Sequence, residues 1–123
     1  MAGDSRTANT LHLFCLWPGD ENVTSSENRA VSRLLDRTDI AAQCCASNQP
    51  AIRDACRRMA TVSGDPSNSK DDCIAGVDDG VSTNAFVAMT YGQTVAKCES
   101  MGLGLCGQSC YNQGCQYNFH PVY

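Results

Sequence analysis

Nine cysteines spread along 123 residues constrain this chain more than any other feature: Cys15, Cys44, Cys45, Cys56, Cys73, Cys98, Cys106, Cys110 and Cys115. Three chemistries use cysteine at this density. Zinc sites take ligands in closely spaced pairs such as C-x2-C, a spacing that occurs nowhere here. His12 and His120 are too few and too far apart to complete a mixed site. Catalytic thiols usually come singly, with a histidine and an orienting group. A disulfide framework formed in an oxidising compartment is the reading that fits. Adjacent Cys44 and Cys45 should then take different distant partners, because a ring between neighbours is strained. Spacing alone leaves the connectivity open; the expectation is that Cys98 bridges to Cys115 or Cys106, tying a helix to the closing segment. The odd ninth cysteine is left for an intermolecular bridge, a buried thiol or a partner beyond the chain.

The remaining composition agrees with a stapled fold. The length is that of one domain, read as a flexible N-terminus over 1–10 and a cysteine-rich domain over 11–123. Aromatics are few (Trp17, four Tyr and three Phe), so cross-links supply what packing lacks. Net charge is −4, and the basic segments Arg29–Arg37 and Arg53–Arg58 are interleaved with Asp36, Asp39 and Asp54. Nucleic acid and anionic membrane surfaces want uncompensated cations, so neither is an expected partner. No apolar run approaches the roughly 20 residues of a membrane span, which argues against direct insertion. Asn22-Val23-Thr24 is an N-glycosylation sequon in a polar, turn-like stretch. The expected location is extracellular or the secretory lumen. Residues 1–10 are polar and Leu11–Trp17 is too short and too late for a signal-peptide core. The chain therefore reads as a mature or excised domain with an added start Met.

Along the chain, Leu11–Trp17 reads as a buried strand closed by the turn Pro18-Gly19-Asp20. Ser25 and Ser26 cap a helix over 27–37 carrying Ala30, Val31, Leu34 and Leu35 on one face. Pro50 opens a second helix, with Ile52, Ala55, Cys56 and Met59 at helical spacing. Residues 63–84 form a long Gly/Asp/Ser/Asn loop around Cys73, and such loops are usually functional or pinned. Ala85–Met89 is a short strand. Thr90-x-x-Gln93 is a capping box starting a third helix through Val95, Cys98 and Met101, stopped by Gly102. Cys115–Tyr123 reads as a final strand, at an edge or turn because of Pro121. The predicted fold is α+β: about three helices and short antiparallel strands tied by sulfur.

Chemical motifs are sparse. Gly102-x-Gly104-x-x-Gly107 matches a dinucleotide fingerprint as a string, but it follows a helix instead of a strand and runs into Cys106. Asp65-x-Ser67-x-Ser69 with Asp71 and Asp72 resembles both a metal-ion-dependent adhesion site, which would need a buried strand where Arg57-Arg58-Met59-Ala60 is read as the end of a helix, and the first half of a calcium loop. As a calcium loop it lacks the glycine at position six and the glutamate at twelve, where Lys70 and Gly76 stand. No cofactor is expected; a weak calcium site on Asp71, Asp72, Asp78 or Asp79 is the one candidate. There is no HExxH and no GxSxG, and no nucleophile or carboxylate pair converges, so the chain is not expected to be an enzyme. Tyr111, Tyr117, Phe119 and Tyr123 cluster among Asn112, Gln113, Gln116 and Asn118, near His120. Rings whose apolar faces stack on sugars, beside amides that bond hydroxyls, suit a saccharide surface; core filling by alternate aromatics is the competing explanation. The candidate ligand residues are Tyr111, Asn112, Tyr117, Asn118, His120 and Tyr123.

An ordered set of positions carries a family resemblance: Cys44-Cys45, Arg53-x-x-Cys56, Ala96-Lys97-Cys98-Glu99, Gly102-Leu103-Gly104-Leu105-Cys106, Gly114-Cys115-Gln116-Tyr117-Asn118 and Pro121-Val122-Tyr123. It resembles a cysteine-rich module of secreted and cell-surface proteins of algae and other protists, over about two-thirds of the chain. The A-x-C-x3-G-x-x-L-C stretch is similar to the second-helix region of C-type-lectin-like domains. Family members often carry a basic residue where Gly104 stands and an acidic one soon after the Leu-Cys pair, where Gly107-Gln108-Ser109-Cys110 stands here. The calcium-dependent sugar motifs of true C-type lectins are absent, so that mechanism is not carried over. The resemblance implies a non-enzymatic recognition or adhesion module for surface glycans or matrix proteins. The alternative is a structural subunit packing against sister chains in an extracellular or luminal assembly.

Overall fold

A computed structural model describes residues 1, 3, 15–25, 38–46, 55–77, 79–81, 83–107 and 109–123. Within them, regular secondary structure is scarce and sulfur is plentiful. Strand β1 (Cys44–Cys45) pairs antiparallel with β2 (Cys56–Arg57), in the register Cys44↔Arg57 and Cys45↔Cys56. On its other side β1 meets Gly104, with Cys45 N–H donating to the Gly104 carbonyl and Gly104 N–H to that of Cys45, each at 2.8 Å. Successive strand side chains point to opposite faces. Cys44 therefore enters the main core, where it is bonded to Cys98, and Cys45 enters a second cluster, where it is bonded to Cys106. The adjacent pair is split between two distant partners by the pleat itself. The remaining bridges are Cys56–Cys110 and Cys73–Cys115, and Cys15 is free and exposed. Cys98 thus reaches β1, and not Cys115 or Cys106 as expected from the sequence.

Helix α1 (Tyr91–Ser100) forms for local reasons. Thr90 accepts from Gln93 N–H through its hydroxyl while the Gln93 side chain accepts from Thr90 N–H, which satisfies two of the otherwise orphaned amides of the first turn. At the other end Gly102 adopts φ +72°, and the amides of Gly102 and Leu103 close back on the carbonyls of Glu99 and Cys98. Thr94, Cys98 and Met101 face inward. The main core is correspondingly light: Ala41, Ala42, Ala60 and Ala75 pack with Ile74, Val77 and Tyr117 around the four cysteines of two disulfides, Cys44–Cys98 and Cys73–Cys115. Among the described residues, no helix is long and apolar enough to cross a membrane.

These elements overturn the expected α+β arrangement, with its C-type-lectin-like cast and about three helices. The described residues hold one α-helix, two two-residue strands, four disulfides and two 3-10 turns. The second predicted helix fails where it can be seen: Cys56–Arg57 is strand, and Met59 and Ala60 make bridges to Cys73 and Pro66. Helical spacing of Ala55, Cys56 and Met59 was outweighed by pairing with β1 and by the Cys56–Cys110 tie. The predicted helix over 27–37 and residues 11–14 of the first predicted strand lie outside the described residues. Cys15–Trp17 is not strand, and Trp17 is 71% exposed.

The tail is not a strand either. Cys110, Asn112, Cys115 and Gln116 all have positive φ, and Tyr117–Phe119 is a 3-10 turn. Coiling this segment brings Val122 beside Ala41 in a parallel bridge. At the N-terminal end, Gly3 N–H donates to the His120 carbonyl at 2.8 Å and Val122 N–H to that of Met1 at 2.7 Å. A Cβ on Gly3 would collide with the Tyr117 carbonyl, so only glycine fits this approach. Residues 2 and 4–10 lie outside the described set.

The segment 61–85, rich in loop residues, is held from within. Asn84 places its side-chain amide against the carbonyls of Lys70, Asp71 and Cys73. Val77 pairs with Ala85, and Cys73 is bonded to Cys115. Ala85–Met89 is extended, joined to the loop by Phe86 N–H to Val77 and Val87 N–H to Ala75, without forming a named strand.

Candidate binding site

Two successive turns build one wall of an open groove. Asp20 N–H closes on the Trp17 carbonyl and Val23 N–H on that of Asp20. The carboxylates lock the turns from outside: Asp20 Oδ2 accepts from Trp17 N–H at 2.9 Å and Glu21 Oε1 from Gly19 N–H at 3.0 Å. The bond from Gly19 holds the fully exposed Glu21 carboxyl below its ordinary pKa, with a second contribution from its own amide. Glycine at 19 is required, because φ there is +107°.

The opposite wall comes from α1 and the tail. Tyr91, at the first helical position, meets Tyr123 edge-to-face at 5.9 Å. The Tyr123 hydroxyl lies within bonding reach of the Met89 carbonyl (2.9 Å) and the Val23 carbonyl (3.2 Å), so this one phenol joins both walls. Partial burial pushes its pKa up to about 12. Between the walls lies a cavity of about 710 Å3, lined by the apolar Leu16, Ile40, Leu105 and Val122 as well as by the rings and carboxylates already named. That size and mixture, apolar and aromatic surface with a few polar groups, is what small-ligand sites have.

Of the six ligand residues expected from the sequence, only Tyr123 lies here. Tyr117 is fully buried, its hydroxyl accepting from Ala75 N–H and donating to the Gly76 carbonyl, both at 2.7 Å. Burial raises its pKa well above the ordinary tyrosine range. His120 is 1% exposed, stacked on Phe86 at 4.4 Å with Nδ1 2.8 Å from the Asp39 carbonyl. Both are core residues, so the reading of them as ligand contacts is withdrawn. Asn118 and Asn112 bond each other side chain to side chain, and Asn118 Oδ1 also accepts from Arg58. Both border a smaller depression of about 290 Å3 with Phe119. Tyr111 is half-buried and lines neither.

Among the described residues, Asp71, Asp72 and Asp79 do not converge with another ligating side chain. Asp72 accepts from the Ser67 hydroxyl, and Asp79 pairs with Lys70 at 3.4 Å while accepting from Val81 N–H. Asp71 is exposed, and Asp78 lies outside the described residues. Among the described residues, the one group of three or more ligating side chains within 4.8 Å of one another is Cys45, Cys56 and Cys110, whose sulfurs are already committed to disulfides. Asn22 is exposed at the second turn, where an oligosaccharide could be attached without displacing the core.

Arg58 is the residue that sequence reasoning passed over. It is 1% exposed, and burial brings its pKa down to about 9. Its guanidinium donates to Gln43 Oε1, Asn118 Oδ1 and the carbonyls of Gly3 and Ser109, and lies 5.7 Å from the Tyr117 ring centre. It gathers four separate segments on one cation. Trp17 was also passed over as a contact residue. Its position directly before Pro18-Gly19-Asp20 was the available signal, since a large ring at the edge of a tight turn has no element to cover it.

No protein-family model matches the chain, and neither the curated proteins nor the solved structures contain a significant match.

Proposed function

We propose that this chain is a non-enzymatic recognition module of an oxidising, extracellular or luminal compartment, and that the groove between Trp17 and Tyr123 takes a saccharide of a surface glycan. The observation that carries the reading is the meeting of three rings, Trp17, Tyr91 and Tyr123, with two carboxylates around one cavity. A pyranose has apolar C–H faces and a rim of hydroxyls. The rings offer surface for the faces, and Asp20 and Glu21 each use one oxygen on their own turn, which leaves acceptor capacity for hydroxyl donors. Cys44–Cys98 and Cys45–Cys106 fix α1 and the 103–106 segment on β1, and the Tyr123 hydroxyl bridges the Val23 and Met89 carbonyls, which lowers the ordering cost of binding. The same bridges support the compartment, because cytosolic thiols are kept reduced. The resemblance to secreted and cell-surface modules of algae and other protists points in the same direction.

The test is titration of neutral oligosaccharides by calorimetry, guided by a glycan array. Trp17→Ala should weaken binding about fivefold, an aromatic contact being worth about 1 kcal/mol. Because Trp17 is 71% exposed, its removal should leave the melting temperature unchanged. Binding that survives Trp17→Ala and Tyr91→Ala together would move the ligand elsewhere and end this reading.

A further inference from the structure

The sequon Asn22-Val23-Thr24 sits on the rim of the groove. Asn22 is exposed within the second of the two turns that build the Trp17 wall. Its predecessor Glu21 lines the cavity, and the carbonyl of its successor Val23 accepts from the Tyr123 hydroxyl at 3.2 Å, so the asparagine stands between two groove residues. Each turn holds its first and fourth Cα atoms within about 7 Å, which puts Trp17 at most about 14 Å from Asn22. Just beyond, Ile40 N–H donates to the Thr24 carbonyl at 2.9 Å and Ser25 bridges Asp39, so the sequon is anchored to the body of the fold. A glycan attached at Asn22 therefore starts from a fixed point beside the cavity.

We infer that the glycan carried by Asn22 folds back into the groove and occupies it, so that glycosylation closes the groove to outside saccharides; this rests on the groove being a saccharide site. The modification needs one co-reactant, an oligosaccharide carried on a polyprenyl diphosphate. Asn22 Nδ2 bonds to the anomeric carbon of the first N-acetylglucosamine. The bond from that carbon to the diphosphate breaks with its electron pair leaving on the diphosphate, and the amide gives up one proton. The first two sugars of such a glycan are uncharged N-acetylglucosamines, so Asp20 and Glu21 do not repel them and can accept from their hydroxyls. Their apolar faces suit the rings of Trp17 and Tyr91, which are 71% and 47% exposed. The cavity, about 710 Å3, accommodates a disaccharide. Tethering makes this ligand intramolecular, at an effective concentration on the order of millimolar. A free saccharide of similar affinity must exceed that concentration to displace it.

The experiment compares the protein secreted from a glycosylating eukaryotic host with Asn22→Gln and Thr24→Val, which break the sequon at different residues. Asn22→Gln changes an exposed side chain, and Thr24→Val keeps the backbone bond to Ile40. Trp17 is the chain's one tryptophan, so acrylamide quenching of its fluorescence reads this wall alone. Quenching in the glycosylated protein should fall by roughly half relative to both variants, because a sugar covers one face of the ring. Nuclear Overhauser effects should connect glycan C–H protons to the Trp17 or Tyr91 ring. Free N,N′-diacetylchitobiose should bind both variants, and the glycosylated protein several-fold more weakly. Equal quenching in all three proteins, or an Asn22 that peptide mass spectrometry finds unmodified, would overturn the inference, while chitobiose binding by Asn22→Gln would leave the groove's saccharide role standing. Equal quenching together with no chitobiose binding by either variant would bring down both.

Discussion

Replacing Tyr117 with phenylalanine separates a structural role from a binding role at a residue where the sequence allows both. The phenol is completely buried and bridges two backbone groups, the Ala75 amide and the Gly76 carbonyl, at 2.7 Å each. Phenylalanine keeps the ring, its edge-on approach to Phe86 at 6.1 Å and its place under Arg58. What disappears is two hydrogen bonds, each worth about 1 kcal/mol net, and the Ala75 N–H is left buried without its acceptor, a further penalty of about 1–3 kcal/mol. No volume is lost that water could fill, so the orphaned groups stay dry. The expected destabilisation is about 3 kcal/mol. For a chain of this length that corresponds to a fall in melting temperature of about 10 °C. Guanidinium unfolding followed by near-ultraviolet circular dichroism gives the free energy, and calorimetric titration of the proposed saccharide ligand on the folded variant gives binding. Stability should drop while affinity per folded molecule holds. A loss under about 1 kcal/mol, or weakened binding at unchanged stability, would refute the assignment of Tyr117 to the core.

Further outcomes follow from the same contacts. Arg58→Met keeps much of the side-chain volume but removes the guanidinium from Gln43 Oε1 and from the carbonyls of Gly3 and Ser109, while Asn118 Oδ1 keeps Asn112 N–H, so it should cost about 3–5 kcal/mol in denaturant unfolding and accelerate hydrogen exchange at Gly3, whose carbonyl it held. Asn84→Ala should cost about 1–2 kcal/mol and speed exchange at the amides of Val77 and Phe86, because one amide group serves three carbonyls of the 70–73 turn. Removing Cys73–Cys115 as a double alanine variant releases a link between residues 42 apart, for which loop-closure entropy gives at most about 4 kcal/mol. The measured loss should be smaller, because the Cys44–Cys98 bridge already confines part of the same loop. Alkaline titration has a definite sign: the folded Tyr117 pKa is raised above its ordinary value of 10, so the stability from burying its neutral form is complete below pH 10 and declines as pH rises toward the folded value. Absorbance at the tyrosinate band should accordingly show no Tyr117 step near pH 10 in the native protein, as judged against Tyr117→Phe.

What was readable in advance was local or compositional. The cysteine count and the missing C-x2-C pairs pointed to disulfides, and four of them are present. The third predicted helix starts at its capping box and ends at Gly102 as read, because every group in those two devices lies within a few residues of its partner. The splitting of Cys44 from Cys45 needed only the geometry of a ring between neighbours. Which cysteine met which, by contrast, depended on β1 lying between β2 and Gly104, and no spacing records that register. Ala55, Cys56 and Met59 satisfied a helical period and were drawn into extended pairing, since a short apolar run serves either geometry and tertiary partners decide. The tail misled more deeply. Its alternating aromatics read as one strand, yet four left-handed residues coil it so that Tyr117 and His120 enter the core and Tyr123 reaches the groove. The nine cysteines determined that sulfur would hold this chain. Only the tertiary structure decided which rings were enclosed and which met around a cavity, because burial follows from long-range closure and leaves no mark in a residue's nearest neighbours.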